Sequence, residues 1–140
     1  MRALLDTDVV LDHLLGREPF AQAAGELLEL NARGTFQGYI SAITPVNVFY
    51  VARKVLTRDQ LGQALEDLLL AVRVCPLTHN ALRQALALPF RDYEDAVQHA
   101  CAAANGLDAL VTRNLEDYKH ATLPVYSPTD FLSRVKTERP

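Results

Sequence analysis

The sequence has few cysteines, no long apolar segment and no export signal, and each of these absences narrows what the protein can be. Its two cysteines, Cys75 and Cys101, lie in apolar segments of a 140-residue chain, which favours buried reduced thiols in a cytoplasmic protein over a disulfide. No apolar run approaches the roughly 20 residues that a transmembrane helix requires, so we expect no membrane span. The first residues also lack the basic flank and long apolar region of a signal peptide.

An excess of positive charge and a zinc-binding pattern are missing as well. The formal net charge is -3, so no overall basic field indicates nucleic-acid binding. Small local groups of basic residues remain, one of which contains Arg113 and Lys119. The four histidines are scattered along the chain without the spacing of zinc ligands. We interpret one of them, His99, as a partly exposed or core-edge residue and not as a metal ligand.

Repeats, low-complexity segments and linkers are absent too, and 140 residues suffice for one domain with its own core. We predict one domain over residues 1–136 and a frayed tail over residues 137–140. Short apolar segments alternate with segments of helical periodicity. This alternation predicts an α/β fold with a short parallel sheet of four to five strands, flanked by helices on both faces. The predicted strands cover residues 2–5, 36–40, 72–77, 107–111 and 124–126.

The predicted helices begin and end at recognisable capping residues. Thr44 before a proline, and Ser127 before another, are typical helix starts. Thr57 with a glutamine three residues later predicts a capping box, and Thr78 caps the next helix. Gly106 marks a helix end. The predicted helices cover residues 9–15, 19–33, 44–56, 58–70, 78–88, 92–105 and 128–135.

The most informative feature is a first strand that ends on an acid. Asp6 follows an apolar strand directly, at the edge of the sheet where α/β proteins bind ligands. Asp95, in the first turn of a helix, and Asp117, just after the fourth strand, fall at the same edge if the strands are parallel. Converging carboxylates repel one another and require a counter-charge. Oxygen ligands alone suit Mg²⁺ or Mn²⁺, so these three aspartates are the candidate metal ligands.

Other acids near these positions have simpler interpretations. Asp8 and Asp92 stand at helix starts and are interpreted as caps, where a carboxylate also interacts favourably with the helix dipole. Asp12 is interpreted as an acid on the surface of the first helix. We therefore treat the functional site as the set of Asp6, Asp95 and Asp117.

The segments that carry these residues resemble the four motifs of the PIN-domain family, in order and spacing and over nearly the whole chain. Leu4–Asp12 is similar to the Asp-Thr-Asn segment that follows the first strand in that family. Ser41–Asn47 resembles its second motif, Asp92–Ala96 its third and Thr112–Tyr118 its fourth. The resemblance implies a single PIN-like nuclease domain, similar to bacterial toxins of the VapC type.

PIN domains of this type are small metal-dependent ribonucleases that cleave single-stranded RNA. Many are toxins that a cognate antitoxin holds inactive, and they commonly form homodimers. Position by position, the resemblance implies that Asp6, Asp95 and Asp117 bind Mg²⁺ or Mn²⁺ and that Thr112 orients the site by hydrogen bonding. These residues would then support phosphodiester hydrolysis by a metal-activated water.

A further group of residues is predicted to support the metal ligands or to contact the substrate: Asn47, Thr112, Asn114 and Arg113. By the resemblance, Asn114 stands where many members have a further aspartate. From their position near the acids, we expect Arg113 or Lys119 to contact RNA phosphates, which would make binding dependent on salt. The RNA target, single-stranded or structured, is not specified by the sequence.

One departure from the family pattern concerns the number of acidic side chains at the predicted site. Many members have a glutamate where this chain has Asn47, and Asn114 is a second amide in place of an acid. A subgroup of bacterial PIN domains is similar to this chain at both positions. We hypothesise that Glu94 supplies part of the missing charge, although neighbouring side chains on a helix diverge by roughly 100° and Glu94 would then point away from Asp95.

Two other functions remain open from the sequence. Asp6-Thr7-Asp8-Val9 resembles the first motif of haloacid-dehalogenase-like phosphatases, with Asp6 as the nucleophile and Asp8 as the acid/base, but no convincing later lysine motif follows. Alternatively, with Asn47 and Asn114 in place of acids, the protein is a catalytically degenerate PIN domain that binds RNA or a protein partner.

Overall fold

A five-stranded parallel sheet forms the centre of the protein, and it confirms the predicted α/β fold. The computed structural model describes residues 1–138. The strands stand in the order β3-β2-β1-β4-β5, and every neighbouring pair is parallel. The strands are β1 (Arg2–Leu5), β2 (Gln37–Ser41), β3 (Arg73–Cys75), β4 (Ala109–Val111) and β5 (Val125–Tyr126).

Helices cover both faces of this sheet, as predicted. A 3₁₀ turn over Leu115–Tyr118 follows β4. In the described part of the chain the α-helices are α1 (Thr7–Leu14), α2 (Ala21–Ala32), α3 (Thr44–Ala52), α4 (Arg58–Ala71), α5 (His79–Ala87), α6 (Tyr93–Ala104) and α7 (Pro128–Thr137).

The alternation of side chains along β1 divides the core into two parts. Ala3 and Leu5 face the larger part, which also contains the apolar faces of α1, α2, α3, α4 and α7. Leu4 points to the opposite face and packs with Cys101 and Ala102 of α6. Because β1 is buried on both faces, its side chains are apolar throughout the buried stretch and the first acid comes only where the strand ends.

Most predicted helix caps are confirmed, but the one predicted at Thr44 is not. The side chains of Thr57, Thr78, Ser127 and Asp92 each accept a hydrogen bond from the backbone N–H three residues later. Thr44, however, lies inside α3, and Ile43 is the cap. The Thr44 hydroxyl is instead 3.1 Å from the Thr7 hydroxyl of α1. The prediction failed because a partner distant in sequence competes for the side chain that would otherwise cap the helix.

Several boundaries and one burial prediction also change. α2 begins at Ala21 rather than Pro19, and α3 ends at Ala52 rather than near residue 56. His99 is 2% exposed, not partly exposed. Its Nε2 atom accepts the Thr122 backbone N–H at 2.9 Å, so it is a structural histidine held inside the smaller half of the core.

The last helix passes the predicted domain boundary by one residue. α7 extends through Thr137, and the Arg134 guanidinium pairs with Glu138. Residues 139 and 140 of the predicted tail lie outside the described residues. Within the described residues, no helix combines the length and hydropathy needed to span a bilayer. Both cysteines are buried and free, as predicted.

Candidate active site at the carboxyl edge of the sheet

The site is located at the point where the strand order of the sheet reverses. The chain passes from β1 to β2 on one side, and β4 pairs with β1 on the other side. The carboxyl ends of these two central strands form the crevice in which open α/β sheets bind ligands. Asp6 follows β1 and Thr112 follows β4, and the Asp6 backbone N–H donates to the Val111 carbonyl at 3.0 Å.

Asp6 is a buried carboxylate that is held by two hydrogen bonds. It is 3% exposed. The Thr112 hydroxyl donates to Oδ2 at 2.7 Å, and the Gln98 amide donates to Oδ1 at 2.9 Å. Burial raises the pKa of Asp6, and the hydrogen bonds from Thr112 and Gln98 oppose that rise. Each carboxylate oxygen has two acceptor positions, so Asp6 retains acceptor capacity for a further ligand.

Gln98 is a site residue that the sequence analysis missed. It is fully buried on α6, and besides Asp6 it donates to the Tyr118 hydroxyl at 3.4 Å. Its Oε1 atom has no hydrogen-bond partner among the described residues. A signal was present: Gln98 lies three residues after Asp95 and therefore on the same helix face, within a stretch of mostly apolar positions.

Asp95 is linked to this network through Tyr118. The Tyr118 hydroxyl donates to Asp95 Oδ1 at 3.2 Å. Burial raises the pKa of Asp95 to about 7, and the negative charges of Asp6 and Asp92 contribute to the rise. A carboxyl group with this pKa is an acid that would gain by pairing with a cation.

Glu94 shares the electrostatic environment of Asp6 despite being next to Asp95 on α6. Its pKa is raised by burial and then by the charge of Asp6, while the Thr7 hydroxyl acts in the opposite direction. The Glu94 side chain is half-buried at the start of α6.

Asp117 is more distant from the cluster than its neighbour Tyr118. It is exposed, and it contributes only the smallest of the effects that raise the pKa of Asp95. It lines a cleft of about 170 Å³ together with Asp92, Lys119 and other residues. The predicted set of three aspartates therefore separates into a buried Asp6, a half-buried Asp95 and an exposed acid at the rim.

Three successive residues of the fourth motif are hydrogen-bonded to acids in or just before α1. Thr112 donates to Asp6, and the next two side chains also bond to acids of α1. The Arg113 Nε donates to Asp12 Oδ2 at 2.9 Å, and the Asn114 amide donates to Asp8 Oδ2 at 2.8 Å. These contacts fix the loop after β4 against α1 and its cap residue.

Two predictions about these acids are wrong. Asp8 is not a helix cap: Asp6 occupies the cap position of α1, and Asp8 lies inside the first turn. Asp12 is not a surface acid, since it is 1% exposed and Arg17 Nε lies 3.1 Å from its Oδ1. In both cases the partner lies far away in the sequence or in a following loop, so the local pattern gives no indication of it.

Asn47 is placed at the edge of this region by α3. It lies one helical turn after Thr44, whose hydroxyl contacts Thr7 next to Asp6, so both residues share one face of α3. The Asn47 Nδ2 atom is buried and has no hydrogen-bond partner among the described residues.

The donor atoms of the cluster fit a hard divalent cation better than a soft one. Asp6, Glu94 and Asp95 offer only oxygen atoms, and their raised pKa values indicate uncompensated negative charge. Within residues 1–138, no three acidic, histidine or cysteine side chains are close enough to form a complete ligand set.

The raised pKa values predict that metal-free protein loses stability as the pH rises. Asp95 has a pKa of about 7 in the folded state and near 3.8 in the unfolded state. Between these values the folded state binds more protons, so the free energy of unfolding falls as the pH rises from about 4 to 7. In EDTA, the Asp95→Asn variant should therefore gain about 3 °C in Tm over wild type at pH 8 and nothing at pH 4.

Thermal unfolding at both pH values measures this difference. Asp59→Asn, an exposed acid in the first turn of α4, is the control and should show the same small effect at either pH. An Asp95→Asn gain that is equal at pH 4 and pH 8 would contradict the raised pKa.

Comparisons with known proteins agree with this architecture. The chain is similar to one in the toxin-antitoxin complex from Klebsiella pneumoniae, with 26% identity, a TM-score of 0.67, and coverage of 90% of this chain and 97% of that chain. It is similar to a chain of VapBC2 from Rickettsia felis bound to a DNA fragment from their promoter, with 18% identity, a TM-score of 0.72, and coverage of 91% and 98%. It is also similar to VapC20 from Mycobacterium tuberculosis, a toxin that cleaves the sarcin-ricin loop, with 16% identity, a TM-score of 0.62, and coverage of 77% and 86%.

A search of curated proteins gave no match to the sequence. The sequence profile of the PIN domain, in contrast, matches residues 2–116, a span that includes the first three motifs and the beginning of the fourth. With the parallel sheet and the acids at its carboxyl edge, this match shows that the chain belongs to the PIN-domain family.

Proposed function

We propose that the protein is a divalent-metal-dependent endoribonuclease that hydrolyses phosphodiester bonds of single-stranded RNA, and that it is the toxin of a toxin–antitoxin pair. The observation that carries the proposal is the buried Asp6 carboxylate. It is fixed by Thr112 and Gln98 and lies within the electrostatic reach of Glu94 and Asp95. Such a group of acids is costly to maintain without a cation.

The proposed reaction is hydrolysis at phosphorus. The oxygen of a water molecule bonds to phosphorus, the bond from phosphorus to one ribose oxygen breaks, and a phosphate end and a hydroxyl end result. Asp6 and Asp95 would hold Mg²⁺ or Mn²⁺ directly, and Asp117 and Glu94 would add negative charge around it; the ion would lower the pKa of the water and neutralise developing charge.

The side chains of this protein would contribute placement. Thr112 and Gln98 restrict Asp6 to one orientation, and Tyr118 does the same for Asp95. A carboxylate that is already oriented loses little entropy when a ligand binds. Because Asp6 is buried, its surroundings have a lower effective dielectric constant than water, and its charge acts more strongly on a bound cation than it would in water.

The substrate would approach along the exposed rim. Lys119 and Asp117 line the cleft next to Asp92, and the Arg113 guanidinium lies 4.3 Å from the centre of the Phe20 ring while it pairs with Asp12. Cations and an accessible aromatic ring beside an acidic site suit a single-stranded nucleic acid, whose phosphates and unstacked bases both need partners. Binding that involves Arg113 or Lys119 should weaken as salt rises.

One experiment separates this nuclease from a non-catalytic PIN domain. Mn²⁺ is titrated into purified protein by calorimetry, and a labelled single-stranded RNA is then incubated with and without Mn²⁺. Binding of the ion with cleavage that EDTA abolishes supports the nuclease. RNA binding without cleavage at any Mn²⁺ concentration would favour the degenerate domain. The observation that favours this alternative is the presence of amides, Asn47 and Asn114, where many family members have acids.

The phosphatase alternative has less support. A phosphatase of that type would need Asp6 as an accessible nucleophile, whereas Asp6 is buried and both its oxygens accept hydrogen bonds. Its acid/base Asp8 is bonded to Asn114. Membership of the PIN-domain family also opposes this alternative.

Glu94 is proposed to contribute charge to the site without being indispensable. Because its pKa responds to Asp6, Glu94→Ala should weaken Mn²⁺ affinity and lower cleavage by about tenfold, in the range of groups that tune a metal site without dominating it. Asp95→Ala, measured in parallel, should cost considerably more. A fully active Glu94→Ala variant would eliminate the proposed role.

The proposed partners are a cognate antitoxin and a second copy of the chain. Several structures with this fold are toxin-antitoxin complexes, which supports the antitoxin. The homodimer is supported by exposed apolar side chains on and just after α3: Val46, Tyr50 and Val55 are 68%, 59% and 71% exposed. An exposed patch of this kind is typical of an interaction surface. A toxin of this kind would act on RNA in the cytoplasm.

Val46→Asp tests the dimer. A charge in the middle of a buried apolar contact is costly, so we expect the variant to sediment as a monomer at concentrations where wild type is dimeric. Leu86→Asp, which changes an equally exposed apolar residue on α5, is the control and should remain dimeric. If Val46→Asp remains dimeric, the dimer does not use this surface.

A further inference from the structure

The carboxylate of Asp8 and the amide of Asn114 form a pair that the proposed site does not yet account for. The Asn114 Nδ2 atom donates to Asp8 Oδ2 at 2.8 Å. An ionised carboxylate only accepts hydrogen bonds, so the amide must turn its NH₂ group toward Asp8. The other end of the amide is the oxygen Asn114 Oδ1. Within residues 1–138, the structure shows no hydrogen bond to this oxygen, which therefore remains available as a metal ligand.

The charge of Asp8 is only partly neutralised. Arg17 is the nearest cation, with Nη2 at 4.0 Å from Asp8 Oδ1. The same guanidinium is closer to Asp12, since Arg17 Nε lies 3.1 Å from Asp12 Oδ1. Asp12 also forms an ion pair with Arg113. Two guanidinium groups thus pair with the buried Asp12, whereas Asp8 has one guanidinium nitrogen within 4.0 Å.

The pair is connected to Asp6 by hydrogen bonds. The Asn114 backbone N–H donates to the Thr112 hydroxyl at 3.0 Å, and that hydroxyl donates to Asp6 Oδ2 at 2.7 Å. Asp8 is therefore tied to the buried carboxylate through Asn114 and Thr112, although it lies on α1 and not on α6. A second, independent sign of a missing ligand is the fully buried Gln98 Oε1, which has no partner among the described residues and belongs to the amide that binds Asp6.

We propose that Asp8 and Asn114 act as one unit of the metal site: Asp8 supplies negative charge, and by holding the Asn114 NH₂ group it leaves the Asn114 carbonyl oxygen free as a neutral ligand. This inference rests on the proposed function, because it assigns a role toward the same divalent ion. A hard cation accepts carbonyl and carboxylate oxygens alike, so the unit would combine one charged and one neutral group in a fixed orientation.

The acid and the amide of this pair can be exchanged between positions 8 and 114 by mutation, and this exchange tests the inference. A carboxylate at position 114 could accept from an amide at position 8 through the same hydrogen bond with the roles reversed. Asp8→Asn alone keeps an acceptor oxygen for the Asn114 amide but removes the charge. The double variant Asp8→Asn/Asn114→Asp restores the charge and the hydrogen bond together. If the contact served only to hold the loop, Asp8→Asn would preserve it and would behave like wild type.

The measurement is Mn²⁺ binding to the full chain by calorimetry, with thermal unfolding in EDTA as the second readout. We expect Asp8→Asn to bind Mn²⁺ five- to tenfold more weakly, since a unit charge near a divalent ion is lost, and to unfold at the wild-type temperature or slightly above. The double variant should return to within about twofold of the wild-type affinity. Asn114→Asp alone sets two carboxylates against each other, and should lower the Tm in EDTA and bind Mn²⁺ more tightly.

A matched control accounts for helix effects. Asp59 is the second residue of α4, as Asp8 is of α1, so Asp59→Asn removes the same interaction with a helix dipole and should leave Mn²⁺ affinity unchanged. Asp8→Asn with wild-type affinity, or a double variant no better than Asp8→Asn, overturns the inference.

The outcomes also separate this inference from the proposed function. Wild type that binds no Mn²⁺ would overturn both together. Mn²⁺ binding that Asp6→Ala abolishes and Asp8→Asn leaves intact would overturn the Asp8–Asn114 unit alone. Mn²⁺ binding that depends on both acids supports both.

Discussion

Replacing Asp6 with alanine should lower RNA cleavage by at least about a thousandfold while the protein remains folded. The change removes the one carboxylate that is buried at the carboxyl ends of β1 and β4, and with it the strongest source of charge for a bound cation. Stability should change little, because Asp6 is costly to keep ionised when buried, and that cost offsets the loss of hydrogen bonds from Thr112 and Gln98.

The measurement is cleavage of a fluorogenic single-stranded RNA in Mn²⁺, with circular dichroism and thermal unfolding of the same samples. Asp6→Asn serves as the matched variant, since it keeps the size and most hydrogen-bonding capacity of the side chain but not its charge. Both variants should be inactive and fold like wild type. Activity within tenfold of wild type in either variant, in an assay that EDTA abolishes, would refute the site.

Replacing Gln98 with methionine should lower cleavage by about 10- to 100-fold, the range for residues that orient a metal ligand without touching the metal. Methionine is close to glutamine in volume but donates no hydrogen bond, so Asp6 Oδ1 would lose its partner. Gln98 is a positioning residue in this account, because it acts through Asp6 and Tyr118.

Stability distinguishes positioning from a structural role. Because the Gln98 Oε1 atom is buried without a partner among the described residues, exchanging the amide for an apolar side chain should leave the Tm in EDTA unchanged or raise it. The Mn²⁺ affinity should fall in the same variant. If the Tm and the activity fall together, Gln98 supports the core and not the site.

The architecture of the sheet followed largely from the local pattern of the chain. Buried apolar segments separated by capped helices leave few arrangements other than a parallel sheet covered on both faces. Asp6 was recognisable because a strand buried on both faces does not normally end on an acid. The caps at Thr57 and Ser127 were predictable for the same reason, since both partners of each hydrogen bond lie within three residues.

The interpretations that failed concern residues whose partners are distant in the sequence. Asp8 and Asp12 are bonded to Asn114 and Arg113, more than 100 residues away. Thr44 meets Thr7 from another helix. No periodicity or capping rule contains these partners, and each contact competes with the local role that the pattern indicates.

The sequence by itself determined the fold class, the place of Asp6 and the succession of motifs, because these depend on residues that are neighbours along the chain. Only the tertiary structure decided which side chains surround Asp6: it brought in Gln98, kept Asp117 at the rim and turned Asp8 from a cap into the partner of Asn114. The physical reason is that the site lies where the ends of β1 and β4 meet α6, so its contacts come into existence only when the sheet is assembled.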